Sequence, residues 1–135
     1  MRLVIADDHG VVRGGLRLLL DRQVDMQVVG EAADGAQAVV QVLAHRPDIA
    51  ILDVAMPRLT GLQATREIKA LAPEVDILIL SMHDDERYLF EALKAGASGY
   101  VLKHEADHDL VAAVRAVTRG ESFLTNSAQR ARASW

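Results

Sequence analysis

The sequence contains no cysteine. That excludes a disulfide framework, a thiolate metal site and a thiol nucleophile. Long hydrophobic runs are missing as well: the apolar stretches fall far short of the roughly 18 residues that would suggest a membrane span. The N-terminus enters a strand pattern directly, without the basic region and long apolar core of a secretory signal. These absences point to a soluble cytoplasmic protein with no membrane contact. Positive charge is also in deficit. Lys and Arg number 15 against 19 Asp and Glu, for a net charge of −4. A domain that grips nucleic acid through phosphates carries a basic face and a pI above about 9, so direct nucleic-acid binding by these residues is not expected.

What remains is enough for one domain. The chain has 135 residues, half of them hydrophobic, and can fill a core without covalent staples. Five short apolar runs stand out: Leu3–Ala6, Met26–Val29, Ile49–Leu52, Ile77–Leu80 and Tyr100–Leu102. Most are continuous rather than alternating, the pattern of strands covered on both faces. Helically spaced stripes lie between them: Val12, Leu16, Leu19 and Leu20; Val39, Val42 and Leu43; Ala64, Ile68 and Leu71; Leu89, Ala92 and Leu93; Leu110, Val114 and Val117. Asp34 and Asp84 stand where helix caps are expected, and Pro47 and Pro73 where proline stops a helix. Strand then helix, five times over, implies a parallel sheet with helices on both faces. From Gly120 the pattern loosens into a connector, with Phe123 and Leu124 as an apolar pair able to dock on the body.

In such α/β sheets, ligands bind outside the carboxyl ends of the strands. The first strand is followed by Asp7 and Asp8, the third by Asp53, the fourth by Ser81 and the fifth by Lys103; the second, ending at Glu31, brings no obvious member of the set. Each has a bland reading by itself: Asp7 or Asp8 as an N-cap, Asp53 and Ser81 as turn residues, Lys103 as a solvated cation. Four strand ends supplying complementary chemistry is a different matter. Clustered carboxylates disfavour one another's ionisation unless a counter-charge is present. An oxygen-rich anionic site suits Mg²⁺, which takes one or two carboxylates, waters and phosphate oxygens. A carboxylate can serve as nucleophile and form an aspartyl-phosphate; Ser81 and Lys103 are suited to its oxygens. His9 could touch this pocket, although exposure or helix capping is the plainer reading, and His45, His104 and His108 read as surface residues.

These residues resemble the five-position signature of bacterial response-regulator receiver domains. The segments Asp7-Asp8-His9, Val11-Val12-Arg13 with Gly15-Leu16, Asp53-Val54-Ala55-Met56-Pro57 with Gly61, and Ala92 through Tyr100 resemble the NarL/FixJ (LuxR-type) subfamily. The likeness covers roughly residues 1–120. It implies a flavodoxin-like (βα)5 fold, an α/β three-layer sandwich with parallel strand order 2-1-3-4-5, over residues 1–119. Residues 120–135 would be a linker toward a C-terminal helix-turn-helix DNA-binding domain. It further implies that Asp53 accepts a phosphoryl group from a sensor histidine kinase. Asp8, Asp53 and the Ala55 carbonyl would hold Mg²⁺, with Asp7 acting mostly through water. Ser81 and Lys103 would bind the phosphoryl oxygens, and Tyr100 would turn inward as Ser81 moves. The chain would catalyse only its own phosphorylation and dephosphorylation, and a homodimer is possible.

Two positions depart from the family pattern. His104 stands where proline often follows the lysine, so a trans Lys103–His104 bond is expected. Ala55 and His83 stand where side chains face the phosphoryl group. Three other readings compete with this one. A magnesium-dependent phosphohydrolase would place its second Asp two residues after the first, not adjacent. A flavin carrier would want an N–H-rich loop after the first strand, not Asp7-Asp8. A receiver that is never phosphorylated, acting as an interaction module, is opposed by the complete residue set.

Overall fold

The computed structural model describes residues 1–82 and 86–124. Strand and helix alternate: β1 (Arg2–Ala6), α1 (Gly10–Asp21), β2 (Gln27–Ala32), α2 (Gly35–His45), β3 (Ile49–Asp53), α3 (Gly61–Leu71), β4 (Asp76–Ser81), α4 (Glu86–Ala95), β5 (Gly99–Leu102), α5 (Ala106–Thr118) and β6 (Phe123–Leu124). All strand pairs are parallel, in the order β2-β1-β3-β4-β5-β6. The order expected from the resemblance is present, with one addition. Phe123 and Leu124 dock by pairing with Gly99 and Tyr100 as a sixth strand, so the packed body runs to Leu124.

The continuous apolar strands divide their side chains between two layers. On β3, Ile49 and Ile51 join Leu16, Leu20, Leu110 and Val114 under α1 and α5. Ala50 and Leu52 face the other way, toward Val39, Val42, Ala64, Ile68 and Leu89 of α2, α3 and α4. Alternation across a strand is what lets one run of four apolar residues serve both layers. Two stripe residues fall outside the core. Val12 is 39% exposed and Leu71 57%. Ala72, fully buried just past α3, takes the core position instead. The second strand ends at Ala32, one residue past the expected Glu31, with Gly30 and Glu31 paired to Val4 and Ile5 despite carrying no apolar side chain.

Helix punctuation agrees in the main. Asp34 accepts a hydrogen bond from the Gln37 amide at 2.8 Å, and Pro47 and Pro73 stand just past α2 and α3. Thr60 and Gln63 form a reciprocal capping box at α3 that the apolar pattern did not signal. Asp84 and His83 lie outside the described residues, as does the chain beyond Leu124. The peptide bonds of the described residues are all trans, Lys103–His104 included, and His104 sits in a short 3₁₀ turn over Lys103–Glu105.

Candidate phosphoryl-acceptor site

Parallel pairing brings every strand's carboxyl end to one edge of the sheet. Register then fixes the neighbours: Asp53, the last residue of β3, pairs with Leu80, and Ser81, the last of β4, pairs with Leu102, just before Lys103. Asp7 follows Ala6, which pairs with Leu52. Asp7, Asp53 and Ser81 are buried, while Asp8 and His9 lie at the exposed rim.

Lys103 is the cation that holds the buried carboxylates together. Its Nζ donates to Asp53 Oδ2 at 3.1 Å and stands 2.9 Å from Asp7 Oδ2. The Asp7 contact is a charge contact without a well-directed hydrogen bond, since Asp7 Oδ2 is buried with no hydrogen-bond partner. The other oxygen, Asp7 Oδ1, accepts from the His9 backbone N–H at 2.9 Å, and Asp53 Oδ1 from the Ala55 N–H at 3.3 Å. Burial pushes the Asp53 carboxyl above its ordinary value, with the charge of Asp7 adding to the effect; the Lys103 contact and the Ala55 N–H pull against it. Burial acts to lower Lys103, but its two carboxylate partners outweigh this and leave it raised. Lys103 is therefore a fixed positive charge.

Asp7, Asp8, His9 and Asp53 can each turn one ligand atom into a common space, with all four atoms within 4.8 Å of one another. A single ammonium among Asp7, Asp8 and Asp53 leaves excess negative charge and one buried oxygen without a directed partner. The donor set fits a hard divalent cation, whose ligands are carboxylate oxygens and water. A small cavity of about 60 Å³ opens over Asp53, lined by His9, Asp53, Val54, Ala55, Met82 and Lys103.

The capping reading of the acidic pair does not hold: the residue capping α1 is His9, and no side chain caps that helix. Two contributors escaped the sequence reading. Met82, 70% exposed, borders the cavity; its place directly after Ser81 at a strand end was the available signal. Arg13 donates to the Asp7 carbonyl at 2.6 Å and pairs with Glu31 of β2 at 3.1 Å. It sits on the first turn of α1, within reach of the loop that precedes that helix. Arg17 binds the other Glu31 oxygen, so α1, β2 and the acidic loop are tied together.

The loop after Asp53 is held by close packing. Val54 N–H donates to the Leu80 carbonyl at 2.9 Å, and Gly61 N–H to the Val54 carbonyl at 3.0 Å. A β-carbon on Gly61 would stand 2.1 Å from the Asp53 carbonyl oxygen, a backbone atom that cannot swing aside. Gly61→Ala is therefore expected to displace the Asp53 backbone and lower folding stability by about 1–3 kcal/mol, measured by urea unfolding. An unchanged midpoint would show that the loop yields freely.

Comparison with known proteins agrees with this geometry. The family model of the response regulator receiver domain matches residues 3–115. The oxygen regulatory protein NreC of Staphylococcus epidermidis is 54% identical over 125 residues, which span 92% of this chain and 57% of NreC. A LuxR-family two-component response regulator from Aurantimonas superposes with a TM-score of 0.94 at 35% identity, covering 98% of this chain and 95% of that one. The isolated REC domain of RcsB from Salmonella enterica serovar Typhimurium, solved with the phosphomimetic BeF3-, gives 0.88 at 30% identity, covering 97% of each chain. This chain belongs to the response regulator receiver domain family. Its sequence and structural relatives include NreC and LuxR-family regulators, and it spans a little over half the length of the curated relatives it matches.

Proposed function

We propose that this chain is the phospho-accepting receiver of a two-component transcriptional regulator, with Asp53 as the acceptor and a sensor histidine kinase as the donor. The observation that carries the reading is Asp53 itself: a buried carboxylate at a strand end, bonded to Lys103 and bordered by Asp7 and Asp8. In the transfer, an Asp53 oxygen attacks phosphorus and forms an O–P bond as the donor's P–N bond breaks. The departing imidazole takes up a proton, so no further acid is needed on this chain. Mg²⁺, held by Asp8, Asp53 and the Ala55 carbonyl with Asp7 behind it, would offset the negative charge that gathers during transfer. Lys103 would neutralise a phosphoryl oxygen, and Ser81 would donate to another.

Switching requires an element with two states that the new charge can bias. Ser81 and Tyr100 are assigned that role: as Ser81 moves toward the phosphoryl group, the Tyr100 ring would turn inward into the space it leaves. The burial of both residues supports this reading, since a shift of either must be met by its packing neighbours. In the whole protein, residues 1–119 would act as the receiver and the stretch from Gly120 would lead toward a DNA-binding output domain, with homodimerisation as a possible means of control. A cytoplasmic setting fits this role; no helix among the described residues is long and apolar enough to cross a membrane.

The test is incubation with a small phosphodonor and Mg²⁺, followed by intact-mass measurement. One phosphoryl adduct per chain is the expected result. None under any donor would favour a receiver that works unphosphorylated, as an interaction module.

A further inference from the structure

His9 stands closer to the carboxylates than a surface histidine needs to. Its Nδ1 is 3.2 Å from Asp8 Oδ1 and 3.4 Å from Asp7 Oδ1. Octahedral ligands about 2.1 Å from a cation lie roughly 3.0 Å apart along each edge, so these separations are near those of neighbouring ligands on one ion. The ring is not committed elsewhere in the helix it precedes, because it makes no capping hydrogen bond to α1. It also lines the cavity whose floor is Asp53. Among the described residues, this is the one group of histidine and carboxylates whose ligand atoms converge on a shared space. His104 and His108 pair instead with their sequence neighbours Glu105 and Asp107.

We propose that His9 contributes an imidazole nitrogen to the Asp7–Asp8–Asp53 site and shifts its preference from magnesium toward a divalent first-row transition ion. The inference rests on the carboxylate metal site of the proposed function. Its physical basis is donor type. Carboxylate, carbonyl and water suit Mg²⁺, whereas imidazole binds the later first-row ions far better than it binds magnesium. A site with oxygen donors alone gains affinity along the first-row series from the metal's own Lewis acidity. A nitrogen at the rim adds a gain that Mg²⁺ does not share, so removing the ring separates the two contributions.

The experiment uses Co²⁺ as the transition-metal probe and Mg²⁺ as the reference, titrated calorimetrically into metal-free protein. The visible absorption of Co²⁺ gives a second readout of its ligands. Wild type, His9→Ala and Asp8→Ala are compared. His9→Ala is expected to lower Co²⁺ affinity at least tenfold, to lower Mg²⁺ affinity less than threefold, and to change the bound-cobalt spectrum. Equal losses for both metals, or an unchanged Co²⁺ affinity, would overturn the assignment of His9 while Asp8→Ala still weakens both. If Asp8→Ala left both metals bound as in wild type, the carboxylate site itself would be wrong, and the His9 inference would fall with it.

Discussion

Asp53→Asn is expected to abolish the phosphoryl adduct completely under conditions where wild type acquires one. Asparagine keeps the size of the side chain and can still accept the Ala55 N–H, so the loop has no reason to move. What it lacks is the anionic oxygen that forms the new bond. No neighbour is placed to replace it: Asp7 is fully buried against Lys103, and Asp8 sits at the rim beside His9. Intact-mass analysis after phosphodonor treatment decides the matter, and modification at the wild-type level would remove Asp53 from its role. The same variant reports on the cost of the cluster. Burial holds Asp53 above its ordinary value, so the folded state takes up a proton more readily than the unfolded chain. The stability this group confers is present below its unfolded value and is lost as pH rises through its folded one. A side chain that does not titrate removes that loss, so metal-free stability at neutral pH should match or exceed wild type.

Lys103→Met should act in the opposite direction and strongly. It leaves Asp7 and Asp53 facing each other in a buried pocket without their cation. Breaking a buried pair by removing one partner costs about 3–5 kcal/mol. Protonation of one carboxylate relieves part of this, so a loss near 3 kcal/mol and a melting temperature lower by roughly 10 °C are expected in metal-free buffer. Millimolar Mg²⁺ should recover much of the loss, because a ligand bound only by the folded state stabilises it by mass action. Lys94→Met is the control: it removes the same charge from an exposed position on α4 and should change stability by no more than about 0.5 kcal/mol. Equal shifts in the two variants would mean that Lys103 is not the counter-charge of the pocket.

Much of this molecule is legible in its sequence because a parallel sheet writes itself as apolar runs. Leu3–Ala6, Ile49–Leu52 and Ile77–Leu80 are all core strands, and their ends name Asp7, Asp53 and Ser81 without further help. Edge strands are harder. The second strand ends one residue past the expected Glu31, because backbone pairing carries it to Ala32, and Phe123–Leu124 is too short to read as more than an apolar pair. Helix faces blur for a related reason: Val12 and Leu71 keep helical spacing but stand on turns that the neighbouring layer does not cover. At the site, chain order predicts which residues arrive but not their partners. The Arg13 bond to the Asp7 carbonyl, the near approach of His9 Nδ1 and the contact of Gly61 with Asp53 all depend on loop paths that spacing does not encode.

Strand β6 carries the chain from the end of α5 back onto the sheet. Phe123 donates its N–H to the Ser98 carbonyl at 3.1 Å, Leu124 lies in register with Tyr100, and the Leu124 side chain is buried in the cluster that contains Tyr100. The chain therefore does not hang from the end of α5 like a tether. It is stitched along β5, the strand whose far end delivers Lys103 to the pocket. Leu124 and Tyr100 therefore share one patch of core, and the backbone bonds of β6 fix Phe123 and Leu124 beside the ring.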